Sequence, residues 1–330
     1  MLSVLVLGAG TMGKTHIRAY QKMKNVKLAG VVDIGQPEFP ENNQLQFFST
    51  FEEAIAKLDG IDAVDICLPT FLHKEYAKKA AVLGKHIICE KPLARTLEDS
   101  KEILDVCREN NVKLFVGHVV RFFPEYKQAK DIVDSGIIGK PEFVRMTRNS
   151  RFPESWNDWY SNKQRSGGLI LDLIIHDFDF LRWCFGDVKS VNAKSLHRHK
   201  YPKKECALVT LYFENGVTAQ VEGSWSHEKF ATKFEFTGDK GKMEFDSSKE
   251  NHLVTVVTND QSDKDTGIIP VSPALVSPYY EELAHFAACI ENDEEPILTP
   301  GDAYEAVRIS LAAIKSMEMN QPVYLNECVE

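Results

Sequence analysis

Excess positive charge, long apolar runs and paired cysteines are all missing from this sequence, and each absence removes a class of function. Its 330 residues carry 39 lysines and arginines against 48 aspartates and glutamates, a net charge of −9. Nucleic acid and anionic membrane surfaces are held by basic protein surface, so neither is expected as the main partner. A local basic pocket for a phosphate is still compatible with this balance. No stretch approaches the roughly 20 apolar residues of a membrane-spanning helix. The amino-terminal run Leu2–Leu7 is shorter than a signal-peptide core, so no targeting segment and a cytoplasmic location are expected. The seven cysteines, at 67, 89, 107, 184, 206, 289 and 328, form no CxxC pair. Several lie in apolar runs such as Ile66-Cys67-Leu68, which suits free thiols in a reducing compartment better than a disulfide framework. Internal repeats and low-complexity segments are also absent.

What is present is an ordinary globular composition, 43% hydrophobic and 26% charged, in a chain long enough for two domains. The first third alternates two textures. Short apolar runs predict buried strands at Ser3–Leu7, Lys27–Val32, Ala63–Leu68, His86–Cys89 and Lys113–Val116. Helical periodicity marks Met12–Met23, Phe51–Leu58, Phe71–Leu83 and Leu97–Asn110. Strands apolar on both faces, alternating with helices, predict a doubly wound parallel sheet. One helix is missing from this pattern. After Asp33 the sequence runs Ile-Gly-Gln-Pro-Glu-Phe-Pro-Glu-Asn-Asn, and two prolines predict a loop there.

Beyond about Phe122 the texture changes. A helix is predicted at Pro124–Ser135, a strand at Glu142–Arg148, and a polar, aromatic loop over Asn149–Ser166. One apolar helix follows at Leu169–Phe185. Alternation over Thr218–Trp225, and over Lys229–Phe236 with Phe230, Phe234 and Phe236 on one face, predicts an antiparallel sheet covered on one side. Two helices close the chain, at Tyr279–Asn292 and Asp302–Met319.

The sharpest motif is Gly8-x-Gly10-x-x-Gly13, with Thr11 and Met12 inside it. It follows a buried strand, opens a helix, and is followed after 20 residues by Asp33 at the end of the next strand. That is the context of a dinucleotide fingerprint. The first glycine permits the tight turn, the second lets backbone approach a pyrophosphate, and the third allows close helix–strand packing. The helix terminus then offers amides to the anion. Asp33 is placed to accept from the adenosine ribose hydroxyls and would repel a 2′-phosphate, so NAD is favoured over NADP. Pro69, Thr70 and His73 lie where the third strand ends, at the sheet edge that binds ligands in such folds, and Glu90-Lys91-Pro92 ends the fourth. His73 serves equally well as a structural residue.

Lys91 suits stabilisation of the negative charge that develops as a hydroxyl becomes a carbonyl. Asp172 and His176, four apart on the apolar helix, share a face, and histidine titrates in the range a base for a hydroxyl proton needs. A satisfied core Asp–His pair explains the same spacing. No further histidine or cysteine stands at ligand spacing nearby, so no metal is expected.

These elements resemble the family of glucose-fructose oxidoreductase, inositol dehydrogenase and rhizopine catabolism proteins (Gfo/Idh/MocA). The likeness runs through Thr70-Phe71-Leu72-His73, Gly84 to Pro92, Arg121-Phe122-Phe123-Pro124, Gly136-Ile137-Ile138-Gly139 and Gly167-Gly168 to His176-Asp177. It implies an α/β plus α+β architecture: an N-terminal Rossmann domain over residues 1–120 and a C-terminal domain over 121–330 built on a large, mainly antiparallel sheet. The last helix is allowed to pack back on the first domain. The sheet's open face is expected to form a homodimer or homotetramer. The resemblance also implies that Lys91, Asp172 and His176 meet beside the nicotinamide: His176 as acid/base, Lys91 polarising the reacting oxygen, Asp172 orienting substrate or tuning His176. Arg121, Arg148, Arg151, Trp156, Asn157, Trp159, His197 and Tyr280 are the candidates for holding a polyhydroxylated substrate, with the arginines equally suited to a carboxylated or phosphorylated one. The expected activity is an NAD-dependent dehydrogenase of a sugar, inositol or related alcohol. An NAD-dependent glycosidase using transient oxidation, and a non-catalytic nucleotide-binding sensor, are the rival classes. The proline-containing loop after Asp33 departs from the helix that relatives carry there, so the cofactor preference rests on Asp33.

Overall fold

In the computed structural model the described residues are 1–35, 45–195, 203–249, 254–258 and 276–326. The loop expected after Asp33, from residue 36 on, and the substrate candidate His197 lie outside them. In chain order the elements are β1 (Leu2–Leu7), α1 (Thr11–Lys22), β2 (Val26–Val32), β3 (Phe47–Phe48), α2 (Phe51–Lys57), β4 (Ala63–Ile66) and α3 (His73–Val82). Next are β5 (His86–Glu90), α4 (Leu97–Glu109), β6 (Leu114–Gly117), α5 (Pro124–Ser135), β7 (Pro141–Arg151), α6 (Lys163–Ser166), α7 (Gly168–Asp172) and α8 (Ile175–Phe185). They continue with β8 (Val188–Ser195), β9 (Cys206–Phe213), β10 (Thr218–Ser224), β11 (Ser226–Gly238), β12 (Gly241–Asp246) and β13 (Thr255–Thr258). The chain closes with α9 (Pro278–Asn292), α10 (Pro300–Met319) and β14 (Val323–Tyr324).

Two compact units result, one of residues 1–119 with 276–304 and the other of 120–275 with 305–330. The division is therefore not a single cut near residue 120. The helix that returns to the first unit is α9, the penultimate one.

The first unit is an all-parallel six-stranded sheet in the order β3-β2-β1-β4-β5-β6. Every residue of β1 and β4 is buried, as a sheet covered on both faces requires. The order reverses at β1, which pairs with β2 on one side and β4 on the other. Their carboxyl ends flank the crevice where ligands enter such sheets. α9 lays Leu283, Phe286, Ala287 and Cys289 into the cluster of Ile17, Tyr20, Ile88 and Phe115, with Phe115 and Phe286 stacked at 5.0 Å. α2 and α4 begin on threonine caps, Thr50 accepting from the Glu53 amide and Thr96 from the Asp99 amide.

The second unit is an eight-stranded sheet in the order β13-β12-β11-β7-β10-β9-β8-β14. It is antiparallel except where β7 and β10 run parallel. One face is covered by α5, α8 and the latter part of α10, through Ile132, Phe178, Phe180 and Ile309 among others. The alternation expected for β10 holds, with Ala219 and Val221 buried. The expected face of Phe230, Phe234 and Phe236 holds only in part. Phe234 and Phe236 are fully buried, but Phe230 is exposed, because the pairing of β11 with β7 shifts between Ser226 and Ala231 and releases that segment from the register.

The predicted single helix Leu169–Phe185 is two helices, α7 and α8, broken at Leu173 and Ile174. The Ile174 carbonyl accepts from both Asp177 and Phe178 amides, and its side chain packs onto β10 where Gly223 leaves room. A β-carbon at 223 would overlap Ile174 Cγ2. No helix among the described residues is long and apolar enough to cross a membrane. Gly223→Ala is expected to destabilise the protein by about 1–3 kcal/mol through overpacking, read as a lower urea midpoint at unchanged slope.

Candidate functional site

The glycine fingerprint forms the turn between β1 and α1. Gly8 has φ +90°, and Gly13 sits so close beneath it that a β-carbon at 13 would overlap the Gly8 carbonyl. A β-carbon at Gly10 would meet nothing within 4 Å. That open approach, exposed at Gly10 and Thr11, is what a pyrophosphate needs. α1 also has no side-chain cap and no acidic residue in its first turn, so its leading amides and positive dipole end face outward unopposed. The residues present fit a dinucleotide.

Asp33 does more than the sequence indicates. Its Oδ2 accepts from the Ala9 amide at 2.7 Å and its Oδ1 from the Gly35 amide at 2.7 Å. It therefore latches the glycine turn to the end of β2. An ionised carboxylate offers about four acceptor positions, so capacity for ribose hydroxyls is retained.

Pro69 and Thr70 follow β4, with Thr70 buried at the start of a short 3-10 turn. His73, placed at the ligand edge with a structural role equally open, is a buried tie. Its Nδ1 lies 2.9 Å from the Pro92 carbonyl and its Nε2 2.8 Å from the Leu68 carbonyl. Burial pushes the imidazole below its ordinary value. The ring thus joins the turn after β4 to the turn that carries Lys91.

Lys91 is half-buried immediately beyond β5, and its bond to Pro92 is cis. Its amide donates to Glu90 Oε2 at 3.1 Å. Glu90, also predicted as a cofactor contact, is buried, and its Oε1 stands 3.2 Å from Nε2 of His16. The other ring nitrogen of His16 is 2.8 Å from Asp65 Oδ2, which also accepts from the Tyr20 hydroxyl at 2.9 Å. Burial alone would depress the His16 imidazole, but Asp65, by charge and hydrogen bond, together with Cys67 holds it well above its ordinary value. Burial would likewise raise Glu90, and His16, Lys91 and His73 together override it and keep that carboxyl low. The His16–Asp65 separation of 2.8 Å is shorter than the ~3.3 Å between two ligands on a tetrahedral zinc. At that distance His16 and Asp65 share a proton.

In the second unit Asp172 ends α7 and His176 lies in the first turn of α8. The helix break between them replaces the continuous i, i+4 face expected from the sequence. Asp172 is buried and accepts from the Tyr160 hydroxyl at 3.4 Å, and Tyr160 stacks on Trp159 at 4.0 Å. The start of α7 is held by buried Glu205, whose carboxylate accepts from the Leu169 amide and pairs with Lys163 at 2.8 Å. α8 is held by two buried bidentate pairs. Arg121 reaches both Asp179 oxygens at 2.9 and 2.7 Å, and Arg148 both Asp177 oxygens at 2.7 and 2.8 Å. The Asp177 carboxylate holds Arg148 above its ordinary value against the opposing effect of burial.

The structure places the predicted substrate contacts in different surroundings. Arg121 is 2% exposed and paired with Asp179, and Arg148 is also buried, against Asp177 and Tyr126. Both are structural guanidinium pairs. Trp159 is buried in the stack on Tyr160. Tyr280 belongs to α9 in the first unit, packed against that unit's core, not to the second unit. Arg151 remains exposed, and Trp156 is 60% exposed on a turn in which Asn157 and Asp158 both take positive φ. Such strain in non-glycine residues is held by other contacts, here Asp158 to Lys203 and Ser161. Lys91 belongs to the first unit, Asp172 and His176 to the second.

His16, Asp65, Tyr160 and Glu205 were missed. Asp65 alone carried a signal: a carboxylate inside a strand otherwise apolar on both faces must find a partner.

The description "Oxidoreductase family, NAD-binding Rossmann fold" matches residues 2–118, and "GFO/IDH/MocA C-terminal domain" matches residues 126–244. An uncharacterized oxidoreductase of Bacillus subtilis, YrbE, is 33% identical over 96% of this chain and 95% of its own. The scyllo-inositol 2-dehydrogenase (NAD(+)) of the same organism is 32% identical over 97% of this chain and 95% of its own. The crystal structure of a probable dehydrogenase from Thermotoga maritima superposes with a TM-score of 0.83, at 28% identity, over 99% of this chain and all of that one.

Asp33→Ala is expected to weaken NAD binding about tenfold or more, the loss of charge-assisted hydrogen bonds. It should not bring NADP to the wild-type affinity for NAD, because the latch on Ala9 goes with the carboxylate. Calorimetric titration of both nucleotides checks this, and tighter binding of NADP than NAD by the unaltered protein would contradict the role of Asp33.

Proposed function

The chain belongs to the Gfo/Idh/MocA family of NAD-binding oxidoreductases, and from that premise we propose that it oxidises a secondary alcohol of a sugar, an inositol or a related polyol. The observation that carries this reading is Lys91 at the carboxyl end of β5, in the strand row whose switch point holds the dinucleotide fingerprint. The relative named as a scyllo-inositol 2-dehydrogenase matches along nearly its whole length, which supports a cyclic polyol.

NAD, held at the Gly8–Gly13 turn and by Asp33, would supply the acceptor for the hydride of the carbinol carbon. His176 removes the hydroxyl proton as general base. Lys91 hydrogen-bonds the same oxygen and stabilises its negative charge as the carbon–oxygen double bond forms. Asp172, steadied by Tyr160, orients the substrate hydroxyls and tunes His176. Trp156 and Arg151 supply an apolar face and a donor fork suited to a sugar ring. The exposed Leu208 and Tyr212 on β9 mark the sheet face through which we expect a dimer or tetramer, checked by sedimentation equilibrium. Six free thiols among the described residues are consistent with the cytoplasm.

Lys91→Ala is expected to lower kcat at least ~100-fold, the magnitude of losing one oxyanion donor, while NAD affinity is kept. The assay is a panel of inositols, sugars and sugar acids with NAD or NADP, followed by absorbance of the reduced cofactor. Sugar release without accumulation of reduced cofactor would favour a glycosidase instead. NAD binding with no turnover of any member would favour a sensor.

A further inference from the structure

His16 lies on α1, on the face turned into the sheet, and is fully buried. Both of its ring nitrogens face carboxylate oxygens: Nδ1 hydrogen-bonds with Asp65 Oδ2 at 2.8 Å, and Nε2 lies 3.2 Å from Glu90 Oε1, within ion-pair reach but off hydrogen-bond geometry. A neutral imidazole donates through one nitrogen only, whereas an imidazolium donates through both. Two buried carboxylates also need a positive partner between them to remain ionised. The site is shaped for this arrangement. Gly117 pairs with Glu90 across β5 and β6, and a β-carbon there would press within 3.2 Å of Glu90 Oε1. The second Glu90 oxygen accepts from the Lys91 amide at 3.1 Å.

We infer that His16 is a positioning residue: as a buried imidazolium between Asp65 and Glu90, it orients the Glu90 carboxylate that anchors the Lys91 turn. The inference rests on the proposed role of Lys91 in the reaction. His16, fully buried, does not reach the substrate. It acts through Glu90.

The groups around it support this charge assignment. Tyr20 on α1 and Cys67 beyond β4 face Asp65 and His16, and burial pushes both upward, so both stay protonated. Glu282 on α9 adds to the effect on Tyr20. His73 on α3 and Lys91 face Glu90, and burial lowers His73. His16, which faces carboxylates where His73 faces neutral carbonyls, is the ring whose charge the site offsets. Because its folded value lies above the unfolded one, its contribution to stability is fully present below about pH 6.5 and is lost as pH rises through the folded value. The lowered Glu90 contributes above about pH 4.3, and that contribution is lost as pH falls through its folded value. Loss of the His16 proton leaves Glu90 without its buried positive partner, and the carboxylate that accepts from the Lys91 amide is less firmly oriented. Turnover should therefore fall on the alkaline side with the titration of this pair.

The test uses ¹⁵N-histidine-labelled protein saturated with NAD, with His16→Gln identifying the signals. Long-range proton–nitrogen spectra should show both His16 nitrogens protonated at neutral pH. Glu90→Gln, nearly isosteric and checked for folding by near-ultraviolet circular dichroism, should lower the His16 titration by about one unit or more. It should also cut kcat about tenfold, a cost of misplacement rather than lost binding, with NAD affinity kept and the alkaline limb of kcat moved to lower pH. Glu90→Asp should recover part of the rate. A neutral His16 at pH 7 overturns the inference. So does a wild-type rate and pH profile in Glu90→Gln when Lys91→Ala is inactive. Full turnover by Lys91→Ala would instead remove the proposed role of Lys91, and the spectra would still decide the state of His16.

Discussion

A charge buried in a protein must be paired, and in this chain the pairs sit beneath the residues assigned to chemistry. Asp65, fully buried in β4, is answered by His16 and Tyr20. Asp177 and Asp179, buried on α8, are answered by Arg148 and Arg121. Pairs of this kind contribute little net stability, because desolvation consumes most of the attraction. The apolar clusters of each unit supply the stability. What the pairs contribute is registry, since each tolerates one arrangement of its partners and is costly to break.

That registry explains where precision is found. The turn bearing Lys91 is held through Glu90 on one side and through His73, bridging the Leu68 and Pro92 carbonyls, on the other. The helix bearing His176 is pinned at Asp177 and Asp179, one and three residues beyond it. Asp172 is steadied by Tyr160, and the helix it ends is held at its start by Glu205. Groups that act on a substrate are placed accurately only when such supporting contacts leave them no alternative rotamer. The parallel sheet brings backbone ends to one edge. The buried pairs decide which side chains stand there and how firmly.

The same pairs show why parts of the site were illegible. Arg121 and Arg148 look, in sequence, like any arginine near an aromatic segment. Their partners lie 58 and 29 residues away, and only folding reveals that both guanidiniums are spoken for. Tyr280 falls within the second domain by position in the sequence, yet its helix packs beside α1. The break between Asp172 and His176 was hidden because Leu-Ile-Leu-Asp-Leu-Ile-Ile is a good helix by periodicity. Close packing of Ile174 over Gly223 overrides that preference. Phe230 had the right parity for the core and was displaced by a shift of register in β11.

Local chemistry was sufficient where one residue type alone meets a backbone requirement. Gly8, Gly10 and Gly13 with Asp33 mark a dinucleotide turn by spacing, because positive φ, an open approach and close helix contact each exclude a side chain. Runs such as Leu2–Leu7 mark buried parallel strands, because only a doubly covered sheet hides both faces. The lysine and histidine assigned to the reaction carried no comparable signature; position and family resemblance singled them out. Tertiary structure decided the rest: that Asp33 also latches Ala9, that two arginines are structural, and that His16 lies between two carboxylates. Pairing of buried charge is a long-range condition, met between residues whose separation along the chain conveys nothing about their distance in the fold.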